Sequence, residues 1–222
     1  MKTGSPIHKL LDVMAKLRAP DGCPWDREQD HKSIRLHAIE EVYELIDAIE
    51  AKDDVEMAEE LGDLLLQVVF HCQLAKERGA FDFEQVVGHI TEKLIRRHPH
   101  VFAAVQVKNV DEIWANWEHI KRAEKKGTAH DRPSALDGIP KHLPALMRAE
   151  KLIKKARKAK LLAETAESER KPSRATLAVE LFELTQLAQQ NGWSAEELLR
   201  GEIEKREQEL RKQEKSGGMQ GD

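Results

Sequence analysis

The chain has 222 residues, 34% of them charged and 5% aromatic, and 36 Lys and Arg against 40 Asp and Glu leave a net charge of −4. This composition favours helices over sheets, and the acidic excess argues against general nucleic-acid binding, which needs a basic surface. No apolar run is long enough to predict a membrane span, and the N-terminus lacks the features of a secretory signal. Two cysteines, Cys23 and Cys72, are too few for a disulfide framework. We therefore expect an all-α protein of the cytoplasm.

Five helices are predicted in the first part of the chain from apolar residues spaced three and four apart. They cover about residues 7–18, 33–51, 55–78, a stretch after 81–84 that reaches 97, and 111–126. Two prolines and a glycine break the pattern at 19–26. Asp53 or Asp54 is expected to cap the third helix at its start, and Gly79 and Pro99 are expected to end the third and fourth.

A second helical region is predicted after a segment rich in proline and glycine, with helices from about 143, over 175–191 and over 194–214. Short similarities between the two regions indicate that the second is a shortened copy of the first, which lacks about one helix. The predicted organisation is a domain over 1–126, a linker over 127–142, a second domain over 143–215 that the polar segment 164–174 interrupts, and a disordered tail over 216–222.

Five acidic residues lie on two of the predicted helices at spacings that place them on one face of each helix. Glu40, Glu41 and Glu44 are three or four residues apart, and Glu60 and Asp63 are three apart. If the two helices pack antiparallel, they offer up to five carboxylates to one point. Hard cations such as Mg²⁺ take oxygen ligands, and a cation between like charges relieves their repulsion.

Simpler explanations for these acids compete with a metal site. Helix surfaces are rich in glutamate, so the Glu40–Glu44 cluster could be a solvated face. Asp63 lies in a run that is apolar nearly all round, which is typical of a buried helix. A carboxylate is costly there unless it is paired or metal-bound, and an ion pair with a buried arginine would satisfy Asp63 as well as a metal would.

The pattern Glu40-Glu41-x-x-Glu44, fifteen residues, then Glu60-x-x-Asp63 resembles the EExxE…ExxD signature of the MazG family. Four further segments resemble that family: LLDVMAKLRAPDGCPWDREQ (10–29), EELGDLLLQVVFHCQLA (59–75), KLIRRHPHVFA (93–103) and VDEIWANWEHIKRAEK (110–125). The resemblance covers about residues 7–126. It implies an all-α nucleoside triphosphate pyrophosphohydrolase that acts as a homodimer and cleanses the nucleotide pool.

The resemblance also implies a mechanism and the residues that carry it out. Mg²⁺, or Mn²⁺ in its place, would bind the triphosphate and activate a water that attacks the α-phosphorus, giving nucleoside monophosphate and diphosphate. The metal set implied is Glu40, Glu41, Glu44, Glu60 and Asp63. Glu41 and Glu44 are the catalytic candidates, with Glu41 slightly favoured as general base.

Other residues in the matching segments have two explanations each. Lys93, Arg96 and Arg97 would contact phosphates, or else complement the negative end of a helix dipole. Trp25 would lie near the nucleotide, or more simply anchor its loop in the core.

The second region departs from the family pattern because it has no EExxE motif, so we expect it to be inactive. A stripe of Lys151, Lys154, Lys155 and Lys158 there is either a solvated face or a partner surface. Two other functions stay open. The chain could be a non-catalytic helical interaction or regulatory protein, or a hydrolase of another pyrophosphate-containing nucleotide such as an alarmone.

Overall fold

A computed structural model of the chain describes residues 4–103, 105–129, 131–162 and 172–217. Every regular element in these ranges is a helix, which confirms the all-α prediction. Residue contacts divide the chain into two compact units, Met1–Trp117 and Glu118–Asp222. Within the same ranges, we find no helix whose length and apolar character would allow it to cross a bilayer.

The helices match the predicted ones within a few residues, and two short helices are additional. In chain order they are α1 (Pro6–Leu17), α2 (Pro24–Glu28), α3 (His37–Ala51), α4 (Asp54–Glu77), α5 (Phe83–Arg97), α6 (Pro99–Phe102), α7 (Val110–Ala123), α8 (Ala145–Lys158), α9 (Arg174–Gln190) and α10 (Ala195–Gly217). The short helices α2 and α6 each begin with a proline. Proline is favourable in a first helical turn because its missing N–H would have no intrahelical partner there.

The α3–α4 hairpin is the most extensive helix pair of the first unit. A tight turn joins the two helices: Lys52 adopts a left-handed conformation with φ of 57°, and Asp53 precedes α4. The Asp53 carboxylate accepts the backbone N–H groups of Val55 at 3.0 Å and Glu56 at 3.1 Å, which confirms the predicted cap. This short connection brings the acids of α3 beside those at the start of α4.

The core of the first unit lies along α1 and the second half of α4. Its buried members are Met14, Ile34, Val69, Phe70 and Leu74. The expectation that α4 is buried all round its apolar run is wrong. Leu61, Leu65 and Val68 are 38% to 50% exposed in the single chain, since α4 contributes Val69, Phe70 and Leu74 to the core instead.

A buried arginine ties α1 to the end of α4. Arg18 donates to both carboxylate oxygens of Glu77 at 2.8 Å, and its guanidinium lies 5.5 Å from the centre of the Phe70 ring. Arg18 also donates to the carbonyl oxygens of Asp26 and Gln29. The hydrogen bond from Arg18 lowers the pKa of Glu77 below its usual range.

We expect Glu77→Gln to lower the free energy of unfolding by about 1 kcal/mol at pH 7, because it removes a charge-assisted bidentate pair that is partly solvated. The lowered pKa means that Glu77 stabilises the fold above its ordinary pKa and that this stabilisation disappears as the pH falls through that range. Urea unfolding at pH 7 and pH 4 measures both effects. The difference from wild type should shrink at pH 4, and Glu50→Gln on the exposed surface of α3 is the control.

The second unit has its own core, formed by α8, α10 and a residue that precedes them. Its buried members are Leu136, Ala145, Leu152, Ala156, Ile203 and Leu210. Leu136 lies in the predicted linker over 127–142 and is fully buried in this core. The segment around Leu136 is also attached to the second unit by an ion pair, because Arg211 of α10 pairs with the neighbouring Asp137 at 2.8 Å.

Two turns show the same backbone geometry in the two units. Gly79 after α4 and Gly192 after α9 are both left-handed, with φ of 68° and 74°. The residue after each glycine donates its N–H to an alanine carbonyl five residues earlier, Ala75 or Ala188, at 2.9 Å in both cases. Most of the polar segment predicted at 164–174, and residues 218–222 of the predicted tail, lie outside the described residues. Ser216 and Gly217, also placed in that tail, are the last residues of α10.

Candidate metal site

Three of the five predicted acids converge at the α3–α4 hairpin. Glu41 of α3 and Glu60 and Asp63 of α4 each place one carboxylate oxygen within 4.8 Å of the others. The one-turn spacing of Glu60 and Asp63 puts both on the face of α4 that meets α3. The arrangement is one in which a single cation could contact all three residues.

Glu60 is the buried member of the cluster, with 8% of its surface exposed. Its Oε2 atom is buried and has no hydrogen-bond partner among the described residues. Burial raises the pKa of Glu60, and the negative charges of Glu44, Glu56, Asp63 and Glu41 raise it further. The apolar run around Asp63 predicted that this acid is buried, but Asp63 is only half-buried and Glu60 is the buried acid.

Glu44 and Glu40 lie at the edge of the cluster. Loss of solvation raises the pKa of Glu44, and the negative charges of Glu41 and Glu40 raise it further. Glu40 is exposed, and its Oε2 atom lies 3.5 Å from Nδ1 of His37. Glu40 is therefore a neighbour of the three convergent acids rather than one of them.

Gln67 is a site residue that the acidic sequence motif does not include. It lies one turn after Asp63, is buried, and donates from Nε2 to Oε1 of Glu41 at 3.2 Å. Its own Oε1 atom is buried without a partner among the described residues. The sequence feature that could have indicated its role is a single amide in the otherwise apolar stretch Leu64–Phe70, because a buried polar group needs a partner.

The donor set fits a hard divalent cation. Carboxylate oxygens are the ligands that Mg²⁺ and Mn²⁺ prefer, and one of the three carboxylates, Glu60, has a buried oxygen without a hydrogen-bond partner among the described residues. No arginine pairs with Asp63 in the part of the chain that the structure describes, and every charged group that shifts the pKa of Glu60 is acidic. The described residues therefore do not support the alternative explanation that Asp63 forms an ion pair with a buried arginine.

The predicted phosphate-binding residues lie in the last two turns of α5. Arg97 is 8% exposed, and its guanidinium lies 5.1 Å from the centre of the Trp117 ring. Lys93 is half-buried and Arg96 is exposed at the end of α5. Their role toward phosphate stays a prediction.

Trp25 does not anchor the core. Its indole is 55% exposed on the short helix α2, so that simpler expectation is wrong. A helix of five residues offers little surface to bury so large a ring. A place near the nucleotide stays a prediction for Trp25.

Fold and site together define an all-α protein with a carboxylate cluster suited to a divalent cation. The MazG nucleotide pyrophosphohydrolase domain family matches residues 29–102, which include all five predicted acids. Residues 29–102 of the chain therefore carry a MazG domain.

Relatives match the same part of the chain at high identity. A protein of Escherichia coli K12 named nucleoside triphosphate pyrophosphohydrolase is 50% identical over 150 residues, which are 67% of this chain and 56% of that protein. A Thermotoga maritima protein named nucleoside triphosphate pyrophosphohydrolase/pyrophosphatase MazG is 46% identical over 155 residues, 70% of this chain and 58% of that one. Bacillus subtilis YabN is 49% identical over 142 residues, 64% of this chain and 28% of YabN. The chain thus spans between about a quarter and three fifths of the length of these curated relatives.

Proposed function

We propose that the chain hydrolyses nucleoside triphosphates to monophosphates and diphosphate with the help of Mg²⁺ at the α3–α4 carboxylates. The observation that carries the proposal is the convergence of Glu41, Glu60 and Asp63 around the unpartnered Oε2 of Glu60. The MazG domain and the names of the E. coli and T. maritima relatives support the reaction class.

The residues of the α3–α4 hairpin have different roles in the proposed reaction. Glu41, Glu60 and Asp63 hold the cation, and Gln67 keeps the Glu41 carboxylate oriented through its 3.2 Å hydrogen bond. A bound Mg²⁺ supplies charge neutralisation for phosphate oxygens and lowers the pKa of a water ligand.

Glu44 is now the better candidate for the general base than Glu41. It lies outside the three convergent acids, and its raised pKa favours proton uptake from a water. Glu41 is less suited to that task because it is one of the three proposed ligands and already accepts a hydrogen bond from Gln67.

We also propose that a second copy of the chain covers the exposed apolar face of the hairpin. Seven residues of that face are 38% to 52% exposed: Ile39, Val42, Ile46, Ile49, Leu61, Leu65 and Val68. Contiguous apolar surface of this kind is typical of an interface. Light scattering on the purified chain checks this, and a monomer at micromolar concentration would contradict it.

The second unit is proposed to be a degenerate repeat without catalytic residues. The matching turns at Gly79 and Gly192 support a duplication, and no second group of convergent acids is found in the residues that the structure describes. The cytoplasmic location expected from the sequence stays a prediction.

Product analysis tests the proposed reaction. The purified chain is incubated with a panel of nucleoside triphosphates and Mg²⁺, and the products are separated by anion exchange. We expect monophosphate and diphosphate in equal amounts, and no product in EDTA or from Asp63→Asn. Nucleoside diphosphate and orthophosphate would contradict the proposed bond cleavage. A folded sample without any product would favour the non-catalytic function or a different pyrophosphate substrate.

A further inference from the structure

A cavity of about 760 Å³ lies in the second unit, and none of the acids of the metal site lines it. The end of α7, the turn at 131–137, α8 and the end of α10 form its walls. Cavities of this size hold small-molecule ligands. Its lining includes six basic residues, Lys121, Arg122, Lys125, Lys126, Arg132 and Lys155, and four acidic ones, Glu118, Asp131, Asp137 and Glu214.

Two of the four acidic side chains are engaged by groups of the fold. Glu214 accepts hydrogen bonds from Oγ of Ser134 and from the N–H of Ala135 at 2.7 Å. Asp137 accepts the N–H of Ser134 at 3.0 Å and pairs with Arg211 at 2.8 Å. Both carboxylates therefore bind the turn at 131–137 to α10 rather than standing free in the cavity.

The other two acids are engaged as well. Asp131 accepts the N–H groups of Gly127 at 3.0 Å and of its neighbour Arg132 at 2.7 Å. Glu118 lies 3.4 Å from Nζ of Lys121, one helical turn away. The lining therefore carries six cationic side chains against four carboxylates, and each of these carboxylates has a partner within the wall.

Two of the cations are held in place by the backbone. A Cβ atom at position 138 would lie 2.1 Å from Nη1 of Arg132, so this guanidinium rests directly against Gly138, which has φ of 86°. Nζ of Lys155 donates to the carbonyl oxygen of Ala135 at 3.1 Å.

Three other cations of the lining lie close enough to Lys155 to act on its charge. Burial lowers the pKa of Lys155, and the charges of Lys121, Arg132 and Arg122 lower it further, against the opposing effect of Glu118. Arg122 and Arg132 have no carboxylate side-chain partner within the described ranges. A multiply charged anion is the ligand that such a cavity would bind.

We propose that this cavity binds a di- or triphosphate group, either free or carried by a nucleotide, between Arg122, Arg132 and Lys155. Arginine suits this ligand because its planar fork donates two parallel hydrogen bonds to a phosphate. The site is separate from the proposed hydrolytic site, since all its residues belong to the second unit and its charges need no metal ion.

Isothermal titration of the full chain with inorganic tripolyphosphate in EDTA tests the proposal. EDTA keeps metal from the α3–α4 acids, whose negative charge then repels the anion, so the result does not depend on hydrolysis. We expect saturable binding that Arg122→Gln/Arg132→Gln weakens at least about tenfold, since each phosphate contact contributes a charge-assisted hydrogen bond. The control is Arg206→Gln/Lys212→Gln, which removes the same charge from the exposed side of α10 outside the cavity.

Two further measurements separate geometry from net charge and identify the source of the phosphates. Gly138→Ala keeps every charge but displaces Arg132, so it should also weaken binding in a variant that circular dichroism shows to be folded. Tighter binding of ATP than of tripolyphosphate would assign the site to nucleotides, and equal binding would assign it to free polyphosphate. No saturable binding to the wild-type chain, or an equal loss in the control pair, would overturn the proposal.

Discussion

Glu60→Gln should lower Mg²⁺-dependent hydrolysis of nucleoside triphosphates at least about a hundredfold while the chain stays folded. The substitution keeps the shape of the side chain but removes a negative charge and one anionic oxygen from the point where Glu41 and Asp63 also converge. A metal at a phosphoryl centre contributes several kcal/mol of charge stabilisation, and each 1.36 kcal/mol is a factor of ten in rate. Steady-state release of diphosphate measures the effect.

Glu59→Gln is the matched control for this experiment. Glu59 precedes Glu60 on α4, is exposed, and does not belong to the convergent acids. It should retain the wild-type rate. Equal rates for wild type and Glu60→Gln would show that the α3–α4 acids do not hold the catalytic metal, even if the chain proved to be a hydrolase.

Mg²⁺ should stabilise the wild-type chain, and Glu60→Gln should remove this response while it makes the metal-free chain more stable. Without a cation, Glu41, Glu60 and Asp63 repel one another at close range, and burial of Glu60 makes its charged form more costly. Binding to the folded state alone at one hundred times Kd stabilises by about 2.7 kcal/mol. A variant that loses stabilisation by Mg²⁺ but gains stability without metal distinguishes a metal site from a group of acids that only stabilises the fold.

Thermal unfolding of wild type and Glu60→Gln, with EDTA and with Mg²⁺ or Mn²⁺, measures both effects. We expect the variant to melt above wild type in EDTA and to show no shift with metal. A wild-type melting temperature that neither metal changes at millimolar concentration would contradict the site. A variant that melts below wild type in EDTA would mean that the carboxylate of Glu60 has a structural partner.

Local patterns in the sequence were sufficient for the helices. Apolar spacing and end signals such as Asp53 and Gly79 act within one or two turns of chain, so they can be recognised without knowledge of distant residues. That the two acidic helices lie side by side was predictable for the same reason, because a two-residue turn between helices produces an antiparallel helical hairpin.

The burial of individual residues could not be predicted in this way. The apolar run around Asp63 predicted a helix buried all round, yet it is Glu60 that is buried, while Leu61 and Leu65 face outward. Leu136 was assigned to a linker because prolines and glycines surround it, and it is fully buried. Burial depends on which distant element covers a position, and helical spacing carries no information about that.

The all-α class, the helix ends and the family motif could therefore be predicted from the sequence, because each depends on residues close together in the chain. The folded chain was needed to show that Glu41, Glu60 and Asp63 meet while Glu40 lies beside His37, and that Gln67 donates to Glu41. It alone assembled the cation-lined cavity, whose walls come from residues as far apart as Arg122 and Glu214. Such sites arise from packing between distant segments, and packing is a property of the folded chain rather than of any local pattern.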